Sequence, residues 1–357
     1  MSYNEGTTNL FYEHFKENGL PLSFVLLITL RCLISMFGCL LNISLVYITI
    51  KTKTLHSTCN VLISINALCT AIFEPTLIIG LIISLSGINF IDLNSCFWLQ
   101  VLPSFFGNLT LSTLVAIGFD RVVNIILSSF WITIQVRPLP YLTSLMFVCI
   151  IYSLFYVWQL FLISNEHPYL YVICSSPGEC QQGERGKFLY LVNLFINIFL
   201  MFEYVFLWII FKIYHHKLAQ NTSVFTRRIL RSLTTLTILI IICWLLNSII
   251  KLLLPLINTS PSVLIYTTFS FSFLPICAMA ANAPVLFLLS HEYRQAYIKL
   301  FPNILHSYVS SYGDGVVGPV SPVLHLRNAI VAPLPNQHNN LICVIELRKI
   351  RNRIKII

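Results

Sequence analysis

Charge is what this chain has least of. Asp, Glu, Lys and Arg together make up 10% of its 357 residues, against 57% hydrophobic residues, whereas a soluble globular domain carries about 25% charged residues. So few charges cannot clothe a surface that faces water, and a mean hydropathy of +0.81 puts most of the chain in lipid. Other absences narrow the function. The eleven cysteines include no CxxC pair, which removes the usual zinc and thiol-redox frameworks. Most of them fall inside apolar runs, where a thiol is a small buried hydrophobe. His215 and His216 are neighbours and make a poor chelating pair, so no metal and no cofactor is expected. No GxSxG or other nucleophile arrangement is present, so the chain does not read as an enzyme. The first twenty residues carry Glu5, Glu13, Lys16 and Glu17 and no short apolar core ending in small residues, so no cleavable signal is expected and the first apolar run should serve as a retained anchor. The net charge of +9 comes as short basic clusters between apolar runs, without a groove or finger motif, which argues against a nucleic-acid partner.

What is present in abundance is long apolar sequence. Seven runs, near 25–50, 59–85, 97–127, 141–163, 188–214, 230–254 and 262–289, reach or exceed the roughly 20 residues needed to cross hydrocarbon. In lipid each must satisfy its own backbone hydrogen bonds, so each is expected to be a helix. The reading is an all-α membrane protein, a seven-transmembrane helix bundle in a lipid bilayer. Lys51 and Lys53, Arg137, and the set Lys212, Lys217, Arg227, Arg228 and Arg231 lie on alternate connections that hold no Asp or Glu. The other connections hold Asp92, and Glu166, Glu179 and Glu184 beside Arg185 and Lys187. Lys/Arg excess marks the cytoplasmic side, which predicts the N-terminus outside and the C-terminus inside. The divisions expected are an extracellular segment 1–21, a membrane domain 22–289, an amphipathic cytoplasmic helix 290–301 and a cytoplasmic tail 302–357. The tail is rich in Gly, Pro, Asn and Ser and reads as disordered, although its end, LICVIELRKIRNRIKII, is apolar and basic enough to lie on an anionic leaflet.

The stretch IGFDRVVNI, residues 117–125, places Asp120 and Arg121 at the end of a run that carries no other charge after Asp92. The position suits either a solvated helix end or a switch in which Asp120 holds Arg121 and then releases it. The last run ends NAPVLFLLSHEYRQAY, residues 282–297, where Pro284 should bend the helix and HEYRQAYIKLF reads as an amphipathic helix at the interface, Arg294 and Lys299 suiting anionic lipid. Arg31 and Lys251 also interrupt apolar runs; Arg31 is expected to snorkel outward and Lys251 either to snorkel outward or to attract an acidic ligand, while Glu74, ahead of Pro75, should be protonated or paired.

These stretches resemble the rhodopsin-like G-protein-coupled receptors, and among them the nematode serpentine chemoreceptors of the Srsx class. IGFDRVVNI resembles their Asp-Arg-aromatic signature with Val122 in the aromatic place, and NAPVLF resembles their Asn-Pro-x-x-Tyr with Asn282 one residue early, Pro284 in register and Phe287 for the tyrosine. Asn42 in GCLLN and Trp244 in CWLLN match further positions, whereas Thr70 stands where many relatives carry a sodium-binding aspartate. Cys96 lies twenty-five residues before Arg121, and the resemblance implies a disulfide from Cys96 to Cys174 or Cys180, the choice open. Pro103 stands seven residues after Cys96, where amine receptors carry an aspartate, which disfavours an amine ligand. The resemblance covers about 22–301 and implies a chemosensory receptor at the plasma membrane of sensory neurons. Its partners would be an unidentified extracellular ligand, a small organic molecule or peptide, and a cytoplasmic heterotrimeric G protein. Ligand contacts are expected from Gln100, Ser104, Trp244, Lys251 and Tyr266. Coupling and switching are expected from Asp120, Arg121, Arg227, Arg228, Asn282, Pro284 and Phe287. The alternatives are a receptor-like membrane protein that does not signal and a transporter, for which the chain offers no internal repeat.

Overall fold

A computed structural model describes residues 12, 13, 15, 16, 19–126, 138–217, 238, 242–251, 253, 254 and 261–302. Helix α1 is Leu22–Lys51. The second span, Thr58–Leu85, consists of α2 (Thr58–Phe73), a 3-10 turn (Glu74–Thr76) and α3 (Leu77–Leu85). Then come α4 (Leu93–Ile126), α5 (Pro138–Glu166) and α6 (Gly183–Lys217), followed by the shorter α7 (Ile242–Lys251). The chain continues through α8 (Pro261–Phe271), α9 (Phe273–Ala280), α10 (Asn282–Leu289) and α11 (His291–Leu300). Among the described residues, five helices are long and apolar enough to cross a membrane, and six if the bent pair Tyr266–Ala280 and Asn282–Leu289 is one span. The molecule is thus a mostly helical, multi-spanning membrane bundle. The expected sixth run, 230–254, lies largely outside the described residues, as do Arg137, Arg227, Arg228, Arg231 and the tail beyond 302.

The helices bury polarity and expose grease, as lipid requires. Along α1, Leu26, Leu30, Leu33, Phe37 and Leu40 are exposed, while Arg31, Ser35, Asn42 and Thr49 on the opposite stripe are buried. With 30 residues, α1 is about 45 Å long, enough to cross a hydrocarbon core of about 30 Å with its ends in the headgroups. Ser57 starts α2, its Oγ accepting from the Asn60 amide at 3.4 Å. Pro75 lacks the amide hydrogen that would continue α2, and the chain tightens there into the 3-10 turn. Pro284, in the first turn of α10, likewise cannot donate to the carbonyl four residues back, and the last span bends by 46° at Ala281. The expected bend is therefore observed.

Small residues let the helices approach. A Cβ added at Gly38 would lie 2.3 Å from Glu74 Oε1 and 2.9 Å from Ala280 Cβ, so this glycine is where α1 meets both the second span and α9. Gly38→Ala is expected to cost about 1–3 kcal/mol through overpacking, read as a lower unfolding midpoint of the purified protein in detergent. An unchanged midpoint would mean that α1 can shift away without loss.

Two apolar cores lie at opposite ends. One gathers Leu45, Leu62, Leu114, Leu200, Tyr204, Leu286 and Tyr293 near the end that carries Arg121. The other surrounds Cys96, with Phe97, Tyr156, Leu160, Val172 and Leu189. At the Cys96 end a short antiparallel pair, β1 (Ile91–Asp92) and β2 (Tyr171–Val172), folds the 167–182 connection back over the bundle, with Ile91 opposite Val172 and Asp92 opposite Tyr171. At the other end α11 packs Tyr293 and Ala296 inward. Arg294 also has partners inside the protein. Its guanidinium donates to the carbonyls of Phe287 (3.2 Å) and Leu288, capping the C-terminus of α10. The Tyr297 and Ser44 hydroxyls share a hydrogen bond of 2.9 Å, tying α11 to α1.

Candidate functional site

The site is built along α4, which carries Cys96 near one end and Arg121 near the other, about 37 Å apart at 1.5 Å per residue.

At the Arg121 end, Asp120 is 0% exposed. Thr58 of α2 and Tyr141 of α5 face its carboxylate. Cys59 and Tyr204 face the Arg121 guanidinium. Among the described residues the two charges attract without forming an ion pair within 4 Å, and Thr58, Tyr141 and Cys59 are the side chains in hydrogen-bonding reach of them. A second carboxylate, Glu292 of α11, lies within electrostatic range of Arg121 and faces Asn60. Burial pushes the Glu292 carboxyl up from its ordinary range, while Asn60 and Arg121 oppose that shift. Glu292 was not among the residues expected to act with Arg121, although its stretch EYRQA matches the receptor pattern. Glu203 of α6 was likewise unexpected. A Cβ at Gly118 would lie 2.6 Å from its carboxyl, and the legible signal was a glycine two residues before Asp120.

Midway along the bundle, polar side chains join α1, the second span and the last span. Asn282 Nδ2 donates to Asn42 Oδ1 at 3.2 Å. Asn42 Nδ2 lies 3.0 Å from the Gly38 carbonyl, 3.2 Å from the Met279 carbonyl and 3.4 Å from Glu74 Oε2. Glu74 is therefore buried and partnered, as one of its expected states required. Nearby, Asn66 Nδ2 donates to the Thr110 carbonyl and to Thr113 Oγ1, both at 2.8 Å. A cavity of roughly one water's size lies among Asn66, Thr110, Leu111, Leu114, Trp244, Met279 and Asn282. Thr70 turns back to its own helix, its hydroxyl donating to the Asn66 carbonyl at 2.9 Å. Phe287 packs edge-on against Tyr297 with ring centroids 5.7 Å apart, so the aromatic place contacts α11.

At the other end the open choice of disulfide closes. Cys96 bonds Cys174, with Sγ–Sγ at 2.07 Å and a Cα separation of 5.5 Å. Cys180 is a free, buried thiol whose Sγ lies 3.6 Å from Cys96 Sγ. Gln100, one turn along α4, donates from Nε2 to the Cys174 carbonyl at 3.2 Å and accepts from Thr76 Oγ1 at 2.7 Å. Tyr266 shares a 2.8 Å hydrogen bond with Ser23 and meets Phe24 edge-on.

The five residues expected to contact ligand do not form one wall. Gln100 lies at the disulfide. Ser104 is buried a turn deeper, its hydroxyl without a hydrogen-bond partner. Trp244 lines the mid-bundle cavity beside Asn282. Arg31 departs from expectation. Arg31 is 4% exposed, its guanidinium carbon 4.9 Å above the Phe269 ring rather than reaching out to water. Lys251 is partly buried and lies within electrostatic range of Arg31 and Glu179. Hydropathy alone does not say which face of a helix a lone cation occupies, and burial here follows from packing among neighbouring helices. Among the described residues no group of His, Cys, Asp and Glu is arranged to hold a metal.

A protein-family model described as "Serpentine type 7TM GPCR chemoreceptor Srsx" matches residues 13–301. No curated protein matches the chain.

Proposed function

The chain belongs to the Srsx family of serpentine seven-transmembrane G-protein-coupled chemoreceptors, and on that premise we infer that it is a plasma-membrane receptor of seven helices that reports an extracellular chemical to a heterotrimeric G protein. Residues 22–289 form the receptor domain in this reading, with 1–21 outside, 290–301 an amphipathic helix on the cytoplasmic leaflet and 302–357 a cytoplasmic tail. The basic connections face the cytoplasm. Ligand enters at the Cys96 end, under the 167–182 connection, and the G protein docks at the Arg121 end.

The observation that supports the reading most is the buried Asp120 carboxylate beside the half-buried Arg121, two opposite charges that form no ion pair among the described residues, at the far end of the helix that holds the disulfide. A charge in that position is costly. It is retained where two bundle arrangements differ in how they satisfy it. Ligand shifts the balance between them only by its difference in affinity for the two. In the resting arrangement Asp120 and Glu292 hold Arg121 electrostatically. In the other, the inner ends of α6 and of the span that follows it move out and Arg121 turns to the G protein, joined by Arg227 and Arg228 of the basic connection. Asn42, Asn282 and the bend at Ala281 lie between the two ends and relay the shift.

The test uses the full-length chain in nanodiscs with purified heterotrimeric G proteins. An extract fraction that stabilises the chain should also speed guanine-nucleotide exchange on at least one of them. Stabilisation without faster exchange on any would identify a receptor-like binder that does not signal. An antibody to residues 218–237 should label only permeabilised cells, and labelling of intact cells would overturn the orientation.

A further inference from the structure

Two cations and one carboxylate are drawn together inside the Cys96 end of the bundle. Arg31 is buried, and its Nε has no hydrogen-bond partner. Lys251, at the end of α7, lies within electrostatic range of it, and so does Glu179 on the loop that the disulfide pins. Glu179 is already engaged by its own loop: Oε1 accepts from the Ser175 amide at 3.2 Å and from the Ser175 hydroxyl. Among the described residues neither Arg31 nor Lys251 forms an ion pair within 4 Å.

Among the described residues, two cations against one carboxylate leave a surplus positive charge. With Arg31 buried and Lys251 partly so, such a surplus is expensive unless something neutralises it. The Phe269 face beneath Arg31 attracts the cation but offsets only part of what its burial costs. Burial also pushes the Glu179 carboxyl up from its ordinary range, with Ser175 and Arg31 opposing. Any protonation of Glu179 enlarges the surplus. The cluster is therefore complementary to an anion and hostile to an amine. Apolar and aromatic side chains stand beside it: Phe24, Ile28 and Phe269 form one buried group with Tyr266 packed against it.

We propose that this end of the bundle recognises a small organic acid, its carboxylate held between Arg31 and Lys251 and its apolar body against Phe24, Ile28 and Phe269. The proposal rests on the receptor reading and names the ligand class for it. Arg31 supplies a planar fork suited to a carboxylate, and Lys251 supplies a point charge from a second helix. An anion that bridges α1 and α7 draws together two elements that the bare protein leaves in mutual repulsion, which is the differential contact that ligand-driven rearrangement needs.

The experiment measures thermal unfolding of the purified full-length chain in phosphatidylcholine nanodiscs at constant ionic strength. The probes are octanoate and benzoate, their methyl esters, and octylamine. The acids should raise the midpoint on the order of 2–4 °C at saturation, with the esters and the amine doing nothing. Lys251→Gln should abolish that rise and Lys251→Arg should keep it. Arg31→Gln should also abolish it, and the Lys251 pair keeps the test decisive if that variant fails to fold. Equal shifts from acid and ester, a shift that survives Lys251→Gln, or no shift with any acid would each overturn the proposal. In parallel discs containing phosphatidylglycerol, a Lys251-dependent rise without added acid would assign the anion to a lipid headgroup and overturn the soluble-acid reading. Acid binding retained in a chain that never accelerates nucleotide exchange would leave this site standing and remove the signalling function instead.

Discussion

Replacing Arg121 by alanine is expected to abolish ligand-evoked nucleotide exchange while leaving surface delivery and ligand stabilisation at the Cys96 end intact. The two ends of α4 are about 37 Å apart, so loss of a side chain at one does not touch contacts at the other. Coupling between sites typically amounts to 1–3 kcal/mol, or roughly 5–150-fold in response, and a variant lacking the side chain proposed to meet the G protein should lose all of it. Asp120→Asn separates the roles further. It removes the buried carboxylate that attracts Arg121 and should raise ligand-independent exchange several-fold, because the resting arrangement loses its main counter-charge while Glu292 remains. A wild-type response in Arg121→Ala would show that Arg121 merely fills space. A silent Asp120→Asn at normal surface levels would show that the carboxylate does not favour the resting arrangement.

The second large effect concerns the sulfur cluster. Cys96 and Cys174 are 78 residues apart, so their bond closes a long loop, and loss of such a bond typically costs about 2–5 kcal/mol. Cys96→Ser should therefore lower the unfolding midpoint sharply and reduce the amount of chain that reaches the surface. Cys174→Ser should be milder. The Cys180 thiol, 3.6 Å from Cys96 Sγ, is well placed to form the bond instead with a small movement of the loop. In the native protein Cys180 is held inert, because burial pushes its thiol up and keeps it protonated. The double variant Cys174→Ser/Cys180→Ser should match Cys96→Ser. Mass mapping of the disulfide in Cys174→Ser checks the point, and a free Cys96 there would refute the exchange.

Much of the architecture was legible because it depends on run length, a local property. The apolar runs placed near 25–50, 59–85, 97–127, 141–163 and 188–214 correspond to the spans Leu22–Lys51, Thr58–Leu85, Leu93–Asn124, Pro138–Glu166 and Gly183–Ile210. The bend at the last span was legible because proline's missing donor is also local. Which side of each helix faces its neighbours was not. In lipid the outward face is as apolar as the core, so the pattern that orients a water-soluble helix is largely erased. That is why Arg31 was expected to reach outward and was found over the Phe269 ring. The partner of Cys96 was open for a related reason: Cys174 and Cys180 both end near it, and only the fold of the connection separates them. The Asn42–Asn282 contact joins residues 240 positions apart, and nothing local announces it.

The anchoring of α11 has a mechanical result. Arg294 grips the last carbonyls of α10, Tyr297 clasps Ser44, and Phe287 rests on the Tyr297 ring. α11 therefore cannot hinge independently of α10. Any tilt of the last span carries α11 with it as a rigid lever, and the load on that lever is set by whatever α11 rests against.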